Sequence, residues 1–281
     1  MKPKVTHIDF EELNLPDIVY KYRTWTDEKH KTILTNQIVY MSSPFDFEDP
    51  KDCKSQKQYD SLTDKDIYNH YLKDSQEKNP DRTRQQHRKY ARDWFKKSPM
   101  RYPEYIQEKQ KIHLQEFAEH FGILSLTANP NSYAMWSKYS DNHNGICIGF
   151  NPQLMFKYLG GGGKVDYPDE LPVIYPTDNF EEEHYKQIFC KEKKWEFEEE
   201  YRTHMFYKEI AAKEDRQIKI PKECYIEIIF GFNTTDDFKN EIRETCRIQE
   251  LNVDFKQVIS IENNEITISP AANKKYSAFG R

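Results

Sequence analysis

Glutamates 198 and 200, within the stretch WEFEEEYR from Trp195 to Arg202, are the residues whose type and spacing best suit chemistry. Read as a strand, the stretch puts Trp195, Phe197 and Tyr201 on one face and Glu196, Glu198, Glu200 and Arg202 on the other. Like charges two apart on a strand face repel, so such a row needs solvent, a cationic partner or a reaction that uses it. Glu198 and Glu200 would stand about 7 Å apart. The plain alternative is a solvated strand face over an aromatic core.

Three other places supply groups that could work with them. IVYKYR, Ile18 to Arg23, alternates as a strand with Ile18, Tyr20 and Tyr22 on one side and Val19, Lys21 and Arg23 on the other. Lys21 and Arg23 could meet phosphates or carboxylates; alternatively they mark a charged edge strand that resists aggregation. In ILSLT the hydroxyls of Ser125 and Thr127 project together. His143, in the turn DNHNG, could act as a base with Asp141 or Ser137 beside it, or simply bond the backbone. Trp136 and Tyr139 suit a core or a pocket wall.

The elements that position these groups belong to a polar chain. Its 281 residues are 37% hydrophobic and 32% charged, yet 14% aromatic, which is too much for disorder. The expectation is a single α+β domain over 1–281 with a helical insertion at 51–120. That insertion is rich in Lys, Glu, Gln, Arg and Tyr, and Pro80, Pro99 and Pro103 divide it into three helices. Its cations Arg82, Arg84, Arg88, Arg92, Lys96 and Lys97 suit either a solvated helix face or a nucleic acid backbone. Elsewhere apolar residues recur at period two, in QIVYMSSP, ICIGF, QIKIP, CYIEIIFGF, VDFKQVISIE and NEITISP, which predicts a mostly antiparallel sheet. GGGG at 160–163 lacks the Lys-Ser/Thr of a phosphate loop and reads as a connector.

A net charge of −5 gives no global field toward nucleic acid or membrane. The N-terminal MKPKVTHIDFEEL lacks a signal-peptide core, and no run of about eighteen apolar residues occurs, so a cytoplasmic protein without a membrane partner is expected. The five cysteines include no C-x-x-C pair, which argues against structural zinc or a disulfide framework; Cys147 and Cys224 suit a core.

YKYR, LTNQIVYMSSPFDFEDP, ILSLT, MWSKYSDNHNGICIGF, WEFEEEYR and IPKECYIEIIFG together resemble the bacterial domain-of-unknown-function 2971 family, a resemblance that brings no activity with it. The order of Tyr22-Arg23, Ser125-Leu126-Thr127 and Glu198-Glu199-Glu200 is also similar to the Arg, Ser-x-Ser/Thr and Glu-x-Glu signature of toxin-type ADP-ribosyltransferases. The helical insertion lengthens the first interval beyond that pattern. This second resemblance implies NAD as substrate, no metal, and a protein or nucleic-acid acceptor, in a toxin or phage-defence role. Glu200 would hold the ribose and stabilise the oxocarbenium-like state, and Glu198 would activate the acceptor. Arg23, with Lys21 on its face, would hold the diphosphate. Ser125 and Thr127 would orient Glu200 and the ribose, Tyr20, Tyr22 or Trp136 would stack on nicotinamide, and His143 would line the site.

Two other readings stand beside it: plain NAD hydrolysis, and a non-enzymatic nucleotide- or partner-binding module in which the charged rows pair internally and the insertion binds a partner. The transferase reading carries a geometric condition. Arg23, Ser125 and Glu200 must face one cleft.

Overall fold

The computed structural model describes residues 15–271; the N-terminal stretch read for a signal peptide, residues 1–13, lies outside them. The strands are β1 (Val19–Arg23), β2 (Ile38–Tyr40), β3 (Phe121–Thr127), β4 (Ile146–Phe150), β5 (Gly163–Lys164), β6 (Glu200–Phe206), β7 (Gln217–Lys219), β8 (Tyr225–Phe230), β9 (Asp254–Glu262) and β10 (Glu265–Pro270). The helices are α1 (Glu28–Thr35), α2 (Asp64–Lys78), α3 (Arg84–Lys96), α4 (Pro103–His120), α5 (Tyr133–Tyr139), α6 (Pro152–Tyr158), α7 (Phe180–Ile188) and α8 (Asp236–Ile248). The described residues divide into two compact units, one holding 43–121 and 166–193, the other 15–42, 122–165 and 194–271.

The second unit is built on an eight-stranded sheet of order β10-β9-β8-β4-β1-β3-β6-β5, and β2 pairs with β7 in a separate two-stranded sheet. Pairing is mostly antiparallel, and β8 and β9, which α8 joins, run parallel. The fold is therefore α+β with a mostly antiparallel sheet. β1 lies between β4 and β3, so its charges do not mark an edge strand.

Alternation sorts β1 as its sequence predicts. Val19 joins Leu124, Leu126, Ile146, Ile148 and Tyr201 in a core that takes in Ile33 and Leu34 of α1, Met155 and Phe156 of α6, and Ile242 and Cys246 of α8. Tyr20 and Tyr22 go to the opposite face with Cys147, Ile229 and Val258, under Met135 and Trp136 of α5. Each fully buried large side chain contributes roughly 1.5–3 kcal/mol, and the sheet gains this on both faces. The expected core cysteines, Cys147 and Cys224, are both buried.

The first unit holds the helical segment, with helices bounded close to where the prolines place them. Thr63 with Asp66, and Thr83 with Gln86, form capping boxes that start α2 and α3. The two helices enclose Leu62, Ile67, Tyr71, Ala91 and Met100. The buried pair Lys186–Asp178, at 2.6 Å, ties α7 to the loop before it.

Candidate functional site

The stretch from Trp195 to Arg202 is not one strand. Lys193–Glu198 is a turn of 3-10 helix, Glu199 is left-handed at φ 43°, and β6 begins only at Glu200. Glu198 and Glu200 therefore do not sit two apart on a single strand face. Glu199 is held in its uncommon conformation from both ends. The Ala128 amide donates to its carbonyl at 3.2 Å, and Asn129 Nδ2 donates to its carboxylate at 2.7 Å. Tyr201 enters the core as expected, whereas Phe197 is exposed and Trp195 lies half-buried under the Lys138 ammonium, 4.0 Å from its ring centre.

Both candidate carboxylates are buried and engaged. The Tyr139 hydroxyl donates to Glu198 Oε1 at 2.7 Å. Arg202 grips Glu200 with two bonds, Nε to Oε1 at 2.7 Å and Nη2 to Oε2 at 2.9 Å, and both side chains are almost wholly out of water. A fork of this kind is among the stronger hydrogen-bonded pairings, and burial makes it costly to break on one side only.

β1, β3 and β6, the strands that carry or adjoin the three motifs, are consecutive in the sheet. Tyr20 faces Thr127 across β1 and β3. By alternation Ser125 and Thr127 lie on the face of Tyr20 and Tyr22, and Glu200 and Arg202 lie there too, opposite Tyr201. Toward Arg23 the Lys21 ammonium reaches the Ser125 carbonyl at 2.6 Å, a bond a ladder amide would otherwise make.

Arg23 does not join them. It lies on the α1 side of the sheet with Val19 and Lys21, where its charge acts on His30 and is drawn by Asp27. Burial presses its guanidinium pKa downward, but a guanidinium remains charged. Ser125 and Glu200 share a sheet face that Arg23 does not, because period-two alternation sends residues 22 and 23 to opposite faces.

The aromatic assignments are corrected as well. Trp136 is fully buried, with its indole N–H on the Pro130 carbonyl at 2.8 Å and its ring edge-on to Tyr22. Tyr22 donates to the Asn129 carbonyl at 2.8 Å, and Tyr20 to Glu227 at 3.1 Å, whose other oxygen meets Lys256 at 2.6 Å. Burial pushes both phenols well above their ordinary pKa, and Glu227 pushes Tyr20 further. These rings are core, and none leaves a free face for nicotinamide. Thr127 uses its hydroxyl to accept from the Asn129 amide at 3.0 Å, a local turn bond.

His143 is buried between Tyr133 and Trp136, with Nε2 3.2 Å from the Ser137 hydroxyl. Among the described residues its buried Nδ1 has no hydrogen-bond partner, and burial lowers its pKa, which keeps the ring neutral near pH 7. Asp141 and Asn142 precede it in the same left-handed turn.

Residues that sequence reasoning missed are Asn129 and the partnership of Glu227 with Lys256. The pairing of Arg202 with Glu200 was missed too, and it alone carried a signal, the Glu-x-Arg spacing of one strand face. Among the described residues no group of three or more His, Cys, Asp or Glu is placed to hold a metal, and no helix is long and apolar enough to cross a membrane.

Fold and site together define an α+β protein with a buried carboxylate–arginine pair where β6 begins. Comparison with protein-family models, with curated proteins and with solved structures gives no match for this chain.

Proposed function

We propose that this chain is a binding protein whose motif residues hold the sheet together rather than turn over a substrate. The observation that carries this is the buried two-bond pairing of Glu200 with Arg202. A carboxylate committed to an arginine from the next-but-one position is poorly placed to take up a ribose hydroxyl as well. The burial of Tyr20, Tyr22 and Trp136 and the position of Arg23 point the same way.

A second reading, an enzyme that cleaves the nicotinamide–ribose bond of NAD, has its own support in the adjacency of β1, β3 and β6 and in the shared face of Ser125 and Glu200. In that reading the bond from ribose C1′ to nicotinamide breaks, nicotinamide leaves with the bonding pair, and water or a macromolecular nucleophile adds to C1′. Glu198, oriented by Tyr139, takes the proton of the incoming nucleophile. Neither Arg23 nor the buried rings have a part in it.

One assay separates the readings. Pure protein is incubated with labelled NAD, with and without cell lysate, beside Glu198→Gln and Glu200→Gln. The binding reading expects NAD to remain intact, and Glu200→Gln to lower the melting temperature. Free ADP-ribose or label on a macromolecule, lost about 10²–10⁴-fold in Glu198→Gln, would replace it with the enzymatic one.

A further inference from the structure

We propose that the exposed face of α3 binds the phosphate backbone of a nucleic acid. This names a partner for the binding reading above, but its test uses no NAD, so either can fail without the other.

α3 turns His87 and Ala91, with half-buried Tyr90 and Phe95, toward the small core it shares with α2. At about 100° per residue, Arg84, Arg88, Arg92, Lys96 and Lys89 fall within an arc of about 140°. All five are exposed. The first four form a row at i, i+4 spacing, so three successive steps place like charges beside each other, each destabilising the free helix by a few tenths of a kcal/mol. Asp93 is the one acid in the helix.

The contrast with α2 shows that this is not how the same unit makes a merely solvated face. There Lys73 meets Glu77 at 3.6 Å and Lys78 meets Asp74 at 2.6 Å, each across one turn. Among the described residues no ion pair engages any of the five α3 cations, whereas neighbouring Arg101 is bound to Asp64. A chain of net charge −5 thus concentrates unneutralised positive charge on one helix face.

The chemistry favours phosphate over other anionic surfaces. Arginine supplies three of the four cations in the row, and its planar fork suits phosphate oxygens. The row is about 18 Å long, the axial length of about five phosphates of one strand. A membrane-surface helix needs an apolar side to insert, and the apolar side of α3 is occupied by α2.

The test is fluorescence anisotropy of a labelled single-stranded RNA and a labelled DNA duplex against the full chain over a salt series. Binding to at least one is expected, with log K falling against log salt for four to five neutralised phosphates at a slope of about −3 to −3.5 for the single strand or about −3.6 to −4.5 for the duplex. The variant R84E/R88E/R92E/K96E leaves the Thr83 cap in place and should lose at least 100-fold affinity while keeping the far-UV spectrum and melting temperature. The control K208E/K213E, on exposed lysines of the other unit, should bind as the parent does. Absence of binding to both probes at low salt, or equal losses in the two variants, would overturn the proposal. So would capture by phosphatidylserine vesicles, abolished by the α3 variant, without binding to either oligonucleotide.

Discussion

Glu200 and Arg202 are two residues apart on one strand, yet they pair through two hydrogen bonds with both side chains almost wholly out of water. Removing only the cation takes two charge-assisted hydrogen bonds from a buried carboxylate. Arg202→Met is therefore expected to cost about 3–5 kcal/mol. Replacing both, as Glu200→Leu with Arg202→Met, should recover a substantial part of that loss, because two apolar side chains of similar volume need no partner. Urea denaturation of the two single variants and the double variant measures the coupling directly. Equal stability of Arg202→Met and the double variant would show that the pair does not act as a unit. The sequence made this pair legible as a shared face. It did not reveal burial, since an alternating acidic strand looks the same whether its polar face meets solvent or an internal arginine.

At the scale of elements, residues 193–199 show why the start of β6 was misplaced. Alternation of aromatic and acidic residues from Trp195 onward fits a strand, and no Gly, Pro or Asn marks a break. The break at Glu199 is imposed from outside, by Ala128 and Asn129, which are distant in sequence. The three helices of the insertion, by contrast, are legible in the sequence, because prolines are local signals: Pro80 stands before α3 and Pro103 opens α4. Strand order was not visible, since the neighbours of β1 are 100 residues or more along the chain. One contact between such neighbours is tight enough to test. A Cβ placed on Gly145, just before β4, would stand 2.2 Å from the Arg23 carbonyl oxygen at the end of β1. Backbone cannot yield as a flexible side chain does, so Gly145→Ala should destabilise by about 1–3 kcal/mol or more. Faster hydrogen exchange should appear at the amides of β1 and β4. An unchanged denaturation midpoint would mean that the two strands part there at little cost.

For the whole molecule, the histidines set an expected dependence on pH. His30, His143 and His204 in the sheet unit, and His70 and His113 in the helical unit, all have pKa values lowered chiefly by burial. For His30 the positive charge of Arg23 adds to the effect, and for His113 that of Lys57 does. A histidine with a depressed folded-state pKa binds fewer protons when folded than when unfolded. Its contribution to stability is thus complete above the unfolded value of about 6.5 and is lost as pH falls toward and through the folded value. The melting temperature should be level from pH 8 to about 7 and decline below about 6.5, before most carboxylates begin to protonate. His143→Phe removes one titrating ring, and with it the Nδ1 that has no partner, while keeping an aromatic between Tyr133 and Trp136. Its melting curve should therefore fall less steeply between pH 6.5 and 5 than the parent's. A parallel decline in the two proteins would show that His143 takes up its proton as readily folded as unfolded, and would place the acid sensitivity on the other four histidines.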